Sequence, residues 1–420
     1  MKTPLSHQVH RRISDSARLA LSESPVVLLQ GPRSVGKTTL LREIARETGA
    51  SVIDLDEPTL RELVEVDPAV FVGGEGPVYI DEYQRLPIIL DAIKAELNVR
   101  SWPGRFLITG SASSESLPRT AQSLTGRIVD VPIMPLTQLE LEGGSETLIS
   151  KLFEGRTLPR GQVSNTTREE YHGRVLSGGM PLALQMPTPA ARDRWFDSYV
   201  SRLLSRDLPE VRRIRQPGAL AGILERTAGQ TAQVLNVAAL AATTELSRQT
   251  ASEYLNALAA IFLVLRLPAW DKTLRSRATK SPKIHVLDSG IGGRLLRLTA
   301  ARLADREPTA LSEFGHLLES FAVGEILRQA SWQASPTHAG HWRTSDGDEV
   351  DLILEGGDGA VVAFEIKASA RATRKDWRSL EKLRDSLGER YLAGVVLYLG
   401  GVALNPADRI HLLPADVLWT

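Results

Sequence analysis

Gly31, Gly36, Lys37 and Thr38 stand in the spacing GxxxxGK[ST] within GPRSVGKTT. A glycine-bounded loop can turn its backbone amides onto phosphate oxygens, a lysine at this offset meets the β and γ groups, and the next hydroxyl holds Mg²⁺. Pro32, Arg33, Ser34, Val35 and Thr39 complete the expected nucleotide-binding stretch. In GPVYIDEYQRLP an apolar run ends in Asp81 and Glu82. The aspartate can hold the metal through water, and the glutamate can orient and polarise an attacking water. The plainer reading is a polar pair that closes a strand. RFLITGSAS ends in Thr109, Gly110 and Ser111, where a hydroxyl can touch the γ-phosphate or that water. Arg127 follows Gly126 in RTAQSLTGRIVDVPI. Its guanidinium suits either a neighbouring subunit's nucleotide or an acid of its own subunit.

These residues need elements to hold them. Val26 to Leu29 form a short β-rich run, and Thr39 to Glu47 read as a helix whose amino end faces the phosphates and adds its dipole to the anion site. Val78 to Ile80 and the apolar part of RFLITGSAS read as further buried strands. ATP and Mg²⁺ are the expected cofactors, with Lys37, Glu82, Ser111 and Arg127 as catalytic candidates and Thr38 and Asp81 as metal holders.

At 420 residues the chain is long enough for two to four domains. Its 50 basic and 50 acidic residues balance, so any affinity for nucleic acid must come from local patches. The absence of cysteine excludes disulfides, thiolate zinc sites and cysteine nucleophiles, and suits a reducing compartment. MKTPLSHQVHRRISDSARLAL lacks an apolar signal core, and no stretch approaches about 18 uninterrupted apolar residues. A soluble cytoplasmic protein is expected. His7 and His10 sit in this polar leader and are not promoted to a metal site.

The order of the motifs resembles the AAA+ ATPase core. More narrowly, the chain is similar to the prokaryotic AAA-type ATPases with a carboxy-terminal domain of unknown function, whose motifs stand here as GPRSVGKTT, IDEYQRLP, LITGSAS and SLTGR. The resemblance gives Ser111 the sensor role and Arg127 the finger role, and it implies a homo-oligomer, a hexamer above all. In LSGGMPLAL, Gly179, Met180 and Pro181 stand where many relatives place a sensing arginine, which resembles the GxP lid motif of signalling ATPases of the same superfamily.

Beyond the lid, RDRWFDSYVSRLLSRDLPEV spaces Trp195, Tyr199, Leu203 and Leu204 on one helical face. In VLNVAALAATTELSRQTASEYLNALAAIFLVLRL, two helical stretches separated by TTELS predict a helix-turn-helix, with Ser247 as N-cap and Leu255 and Leu258 facing the core. Arg248, Gln249 and Ser252 then point outward, toward phosphates and base edges or toward a protein partner. RLPAWDKTLRSRATKSPKIHVLD carries Arg266, Lys272, Arg275, Arg277, Lys280 and Lys283. A basic hairpin wing on DNA is the sharper reading of these charges and a solvated loop the blander one.

The last segment places Asp351 in one strand, a turn at EGGDG, and Glu365 and Lys367 on one face of the next strand. Paired carboxylates repel, and a hard divalent cation relieves them. This resembles the D…ExK core of restriction-endonuclease-like nucleases, with Glu319 as the preferred helical glutamate and Glu325 as runner-up. An inactive fold used for binding or assembly, and a coincidental match, are the alternatives. Trp332, Trp342 and Trp377 are expected to pack.

The reading is therefore an α/β protein with four units: a P-loop AAA+ core over 1–158, a helical lid over 159–216, a winged helix-turn-helix over 217–300 and a restriction-endonuclease-like domain over 301–420. The expected function is an oligomeric ATPase acting on duplex or branched DNA. The rivals are a nucleotide-gated signalling switch with protein partners and an ATP-licensed, metal-dependent nuclease.

Overall fold

The computed structural model describes residues 5–112, 124–156, 158, 160–208, 217–242, 244, 246–273, 277, 280–333, 335 and 337–420. Five strands, β1 (Val26–Gln30), β2 (Ser51–Asp54), β3 (Val78–Asp81), β4 (Phe106–Gly110) and β5 (Ile128–Pro132), lie parallel in the order β2-β3-β4-β1-β5. Side chains alternate across the sheet. Val27 and Leu29 pack with helices Ile13–Glu23 and Lys37–Thr48, whereas Val26 and Leu28 pack with Pro58–Val66 and Ile89–Val99. Both faces are covered, which is why β1 reads as a continuous apolar run rather than an alternating one. Because β1 lies between β4 and β5, its carboxyl end opens where strand order switches direction, the usual place for a ligand in such sheets.

Helices Pro217–Gly229, Val237–Ala242 and Arg248–Ala260 pack beside a small antiparallel sheet of β6 (Gln233–Val234), β7 (Val264–Leu267) and β8 (Lys283–Val286), ordered β6-β8-β7. Ser247 is the N-cap that the spacing predicts, accepting from Thr250 N, and Leu255 and Leu258 are buried.

The carboxy-terminal unit is a mixed six-stranded sheet of β9 (His338–Arg343), β10 (Glu349–Glu355), β11 (Val361–Lys367), β12 (Tyr391–Tyr398), β13 (Leu404–Ala407) and β14 (Ile410–Pro414), in the order β13-β14-β12-β11-β10-β9. Val362, Phe364 and Ile366 meet the long helix Pro308–Ala330, while Val361 and Ala363 meet helix Arg378–Leu387 on the other face. Trp342 is buried among the latter group, as expected of a packing residue. The α/β class holds for both large sheets.

The units share cores. Leu148, Ile149, Leu152 and Leu158, placed by the sequence reading in the amino-terminal core, pack with Leu317, Phe321 and Val395 of the carboxy-terminal unit. The boundary expected at 158 therefore falls inside a packed layer. Gln138 N donates to Glu325 Oε2 at 2.9 Å, and Arg328 Nη1 donates to Leu136 O at 3.1 Å across the same seam. Among the described residues no helix is long and apolar enough to cross a membrane.

Candidate functional site

The glycine-bounded loop leaves β1 and enters helix Lys37–Thr48 with Gly36 as N-cap at φ +98° and Ser34 at φ +63°. A Cβ on Gly31 would meet the Ile133 carbonyl oxygen at 1.9 Å, so only glycine lets β1 and the end of β5 approach so closely here. The first turn of the helix carries no acid, which leaves its amino-end dipole unopposed. Lys37 is only 4% exposed, and its ammonium donates to the carbonyls of Gly31 at 2.9 Å and Pro32 at 2.8 Å. Burial lowers its pKa to about 8, against the raising effect of Glu82 and Asp81. The lysine is thus mainly cationic at neutral pH yet poorly solvated, a state that favours exchange of its carbonyl partners for phosphate oxygens.

Asp81 ends β3 and is buried; Thr109 Oγ1, at the end of β4, donates to its carboxylate and accepts from Glu82 N at 3.0 Å. One hydroxyl therefore fixes the aspartate and the backbone of the glutamate together. Glu82 sits in the left-handed region at φ 54°, ψ 46°, a conformation that costs free energy and aims its side chain away from the strand line. Its carboxylate accepts from Gln84 Nε2, and Gln84 also donates to Ser111 Oγ at 2.9 Å. Burial raises the Glu82 pKa, with Lys37 and Arg33 opposing. Gln84 belongs to the quoted IDEYQRLP motif, but sequence reasoning assigned it no role.

A cavity of about 730 Å³ surrounds the loop and is lined by Gly36, Lys37, Thr38, Thr39 and Glu82. This volume suits a nucleotide-sized ligand. Its opposite wall comes from leader residues Leu5 to Val9 and from Leu136, Pro181 and Gln185. Leu5 N donates to Leu184 O at 2.8 Å, which ties the leader to the lid. Arg11 reaches Val35 O and Met134 O, each at 2.6 Å, and Glu140 Oε1 at 3.1 Å, bracing the loop from behind. No spacing pattern flags the leader; its role arises from where the chain runs. The loop residues from Gly31 to Thr39, with Asp81, Glu82 and Ser111, converge at the carboxyl edge of the sheet, and the glycine cradle, buried lysine and paired carboxylates fit Mg²⁺ and a nucleoside triphosphate.

Arg127 stands elsewhere. It precedes β5, and Ile128 pairs with Val26 at the start of β1, so a strand of five residues, roughly 16 Å, separates it from its own phosphate loop. It is exposed and donates to Asn98 Oδ1 at 2.8 Å.

The described cations of the basic segment have partners within the chain, and Lys283 is buried, while Lys272 and Lys280 remain exposed. Arg277 donates to Glu355 Oε2 at 2.7 Å and lies over the Trp270 ring; Lys280 pairs with Asp271 Oδ2 at 2.8 Å; exposed Lys272 donates to Ser386 O at 2.8 Å. Arg275 lies outside the described residues. Lys283 is the plainest reversal: its side chain is 1% exposed, and its ammonium meets Glu319 Oε1 at 2.8 Å, Asp351 Oδ1 at 2.9 Å and Glu349 Oε1 at 2.6 Å. A buried cation among three carboxylates has no surface to offer a polyanion. Arg248 and Gln249 remain exposed at the amino end of their helix, with Gln249 Nε2 donating to Glu253 Oε1 at 3.2 Å.

The same contacts recast the proposed nuclease centre. Glu319, Asp351 and Glu365 do come together, and Lys367 binds Glu365 on the expected face. Glu325, the runner-up, instead bonds Gln138 and Arg328 in the seam. Yet Lys283 stands where a divalent cation was expected, and among the described residues no cluster of metal-ligating side chains has the arrangement to hold one. Burial opposes the Lys283 charge, but Asp351, Glu319 and Glu349 outweigh it and raise its pKa, so the ammonium stays charged. Burial and the Asp351 charge push Glu365 up to about 8.

Residues 23–142 match the AAA domain family, residues 168–302 a domain of unknown function (DUF8612) and residues 314–418 another domain of unknown function (DUF4143). The chain thus carries an AAA domain at its amino end followed by two further family domains. An uncharacterized protein of Mycobacterium tuberculosis is 28% identical over 406 residues, 96% of this chain and 83% of that one, and an uncharacterized protein of Mycobacterium bovis matches equally. Among solved structures, the Walker-type ATPase of Pyrococcus abyssi has a TM-score of 0.44 at 18% identity, covering 70% of this chain and 99% of its own. A RuvB variant of Thermotoga maritima has a TM-score of 0.27 at 18% identity, covering 62% and 90%.

Proposed function

We propose that the AAA domain of this chain binds Mg·ATP and hydrolyses it to ADP and phosphate. The observation that carries this is the convergence of Lys37, Asp81 and Glu82 at the carboxyl edge of one sheet, with Thr109 holding both acids in register. Lys37 exchanges the Gly31 and Pro32 carbonyls for β and γ oxygens. Thr38 and Asp81 would hold Mg²⁺, which would neutralise phosphate charge. Glu82 accepts a hydrogen bond from the attacking water and takes its proton as the new oxygen–phosphorus bond forms and the bridging bond to ADP breaks. Its raised pKa makes it the better acceptor. Gln84 and Ser111 restrain the Glu82 carboxylate before that step. Glu82→Gln is expected to lower turnover by about 10²–10⁴-fold while leaving Mg·ATP affinity near that of the parent. Equal turnover in the two proteins would overturn the assignment.

Arg127, too far from its own loop, supports action in trans and hence an oligomer; the hexamer rests on the AAA+ resemblance. A second reading, contact with duplex DNA through the middle unit, is favoured by the exposed Arg248 and Gln249 at the amino end of the second helix of the helix-turn-helix. It draws on these two residues rather than on the basic segment. Within the carboxy-terminal unit the internal Lys283 favours an assembly role over cutting.

A further inference from the structure

Arg33 belongs to the phosphate loop, yet its side chain is turned out of the cavity. Its guanidinium Nε lies 3.0 Å from Asp207 Oδ2, and its carbonyl accepts from Tyr199 Oη at 3.0 Å. Both partners sit on one rod, the helix Pro189–Arg202 and its continuation Leu203–Asp207. The backbone of that continuation is π-helical, with five residues in the wider turn. Such a turn differs from the α form by register, and relaxing it rotates the rest of the rod by about 100° per residue of slip. Asp207 is the last residue of the π segment, so a slip carries its carboxylate off Arg33. As it stands, the π-helical turn holds Asp207 against the phosphate-loop arginine.

The same rod is tied near its middle as well. Asp197 receives two hydrogen bonds from Arg294, at 2.7 and 2.8 Å, and a Cβ on Gly290 would strike the Phe196 ring at 2.5 Å. Helix Ser289–Leu295 thereby follows the rod, and it leads on from β8 of the middle unit. Near the cavity the other arginine, Arg11, is consumed by Val35 O, Met134 O and Glu140, and the lid residues lining the cavity, Pro181, Leu182 and Gln185, bring no charge. Beside Lys37, Arg33 is the loop's second cation, and its charge already bears on Lys37 and Glu82.

We propose that Arg33 is the ATP-sensing residue of this chain: its guanidinium exchanges Asp207 for γ-phosphate oxygens, which releases the π-helical turn and signals nucleotide state to the middle unit. This rests on the ATPase reading above and adds to it a regulatory pair. The exchange is a competition between two anions for one guanidinium, so weakening one strengthens the other. ADP, lacking the third phosphate, leaves the pair with Asp207 intact.

Titration of the full chain with Mg·ATP and with Mg·ADP tests this in the parent, Asp207→Asn, Arg33→Gln and the double variant, each checked by thermal melting. Asp207→Asn should tighten Mg·ATP about fivefold, the scale of a part-buried ion pair, and leave Mg·ADP unchanged. Arg33→Gln should weaken Mg·ATP alone, and adding Asp207→Asn to it should give no further change. An unaltered ATP-to-ADP ratio in Asp207→Asn, or an equal shift for both nucleotides, overturns the sensor while the ATPase reading stands. Failure of the parent to bind either nucleotide overturns both.

Discussion

The Lys283 ammonium lies 2.9 Å from Asp351 Oδ1 and so joins a strand of the middle sheet to the centre of the carboxy-terminal acidic cluster. Four carboxyl groups, Glu319, Glu349, Asp351 and Glu365, surround two ammonium groups, Lys283 and Lys367. Burial is costly for Glu319, Asp351 and Glu365, and the two lysines supply the compensation that a divalent ion supplies in an open site. The arrangement makes the cluster a joint between units.

Lys283→Met tests the joint. Removing the ammonium leaves buried carboxylates facing one another, which should destabilise the urea transition of the carboxy-terminal unit by about 3–5 kcal/mol. Millimolar Mg²⁺ or Mn²⁺ should recover part of that loss in the variant and nothing in the parent. Plasmid DNA incubated with the parent and Mn²⁺ should remain uncut. Nicking that Asp351→Ala abolishes would instead restore the nuclease reading.

Protonation of the same cluster sets a pH dependence. Burial first, then the Asp351 charge, push Glu365 up to about 8, and burial pushes Glu325 in the seam up to about 7. Each binds a proton more readily folded than unfolded, so its stabilising contribution is whole below the unfolded value near 4.5 and is lost as pH rises through the folded one. The melting temperature should therefore fall between about pH 5 and 8, and Glu365→Gln should flatten that slope. An unchanged slope in Glu365→Gln would show that the proton resides elsewhere.

How far each feature was legible in the chain depends on the range of the interaction behind it. The phosphate loop was legible because its chemistry is contiguous from Gly31 to Thr39, and Asp81 and Glu82 because a short apolar run delivers them to a sheet edge. Lys283 was misread because charge in a sequence shows sign and not partner: Glu319 and Asp351 lie 36 and 68 positions away. The leader wall at Leu5–Val9 and the Arg33–Asp207 pair are likewise products of tertiary approach. Gln84 was present in a recognised motif, but only the geometry gave it Glu82 and Ser111 as partners.

The second reading assigns DNA contact to the exposed end of helix Arg248–Ala260. Arg248→Ala with Gln249→Ala should weaken duplex binding and reduce the log–log salt slope by about 0.9 for each phosphate no longer neutralised. Lys280→Ala should leave that slope alone and lower the melting temperature slightly, since its ammonium serves Asp271 and Arg343 O. Duplex binding that ignores the first pair and follows Lys280 would return the contact to the hairpin.

Arg127 stands at the amino edge of β5 while the phosphate loop leaves the carboxyl edge of its neighbour β1, so its guanidinium serves catalysis only by crossing to another subunit. Arg127→Ala should then lower turnover on the order of 10³-fold with little change in Mg·ATP affinity. Mixing Arg127→Ala with Glu82→Gln separates the two geometries. In trans, a site built from the intact Glu82 of one chain and the intact Arg127 of the other regains activity, so two inactive proteins become active together. In cis, every site still lacks one of the two groups. A mixture as inactive as its components would confine Arg127 to its bond with Asn98 and a structural role in its own subunit.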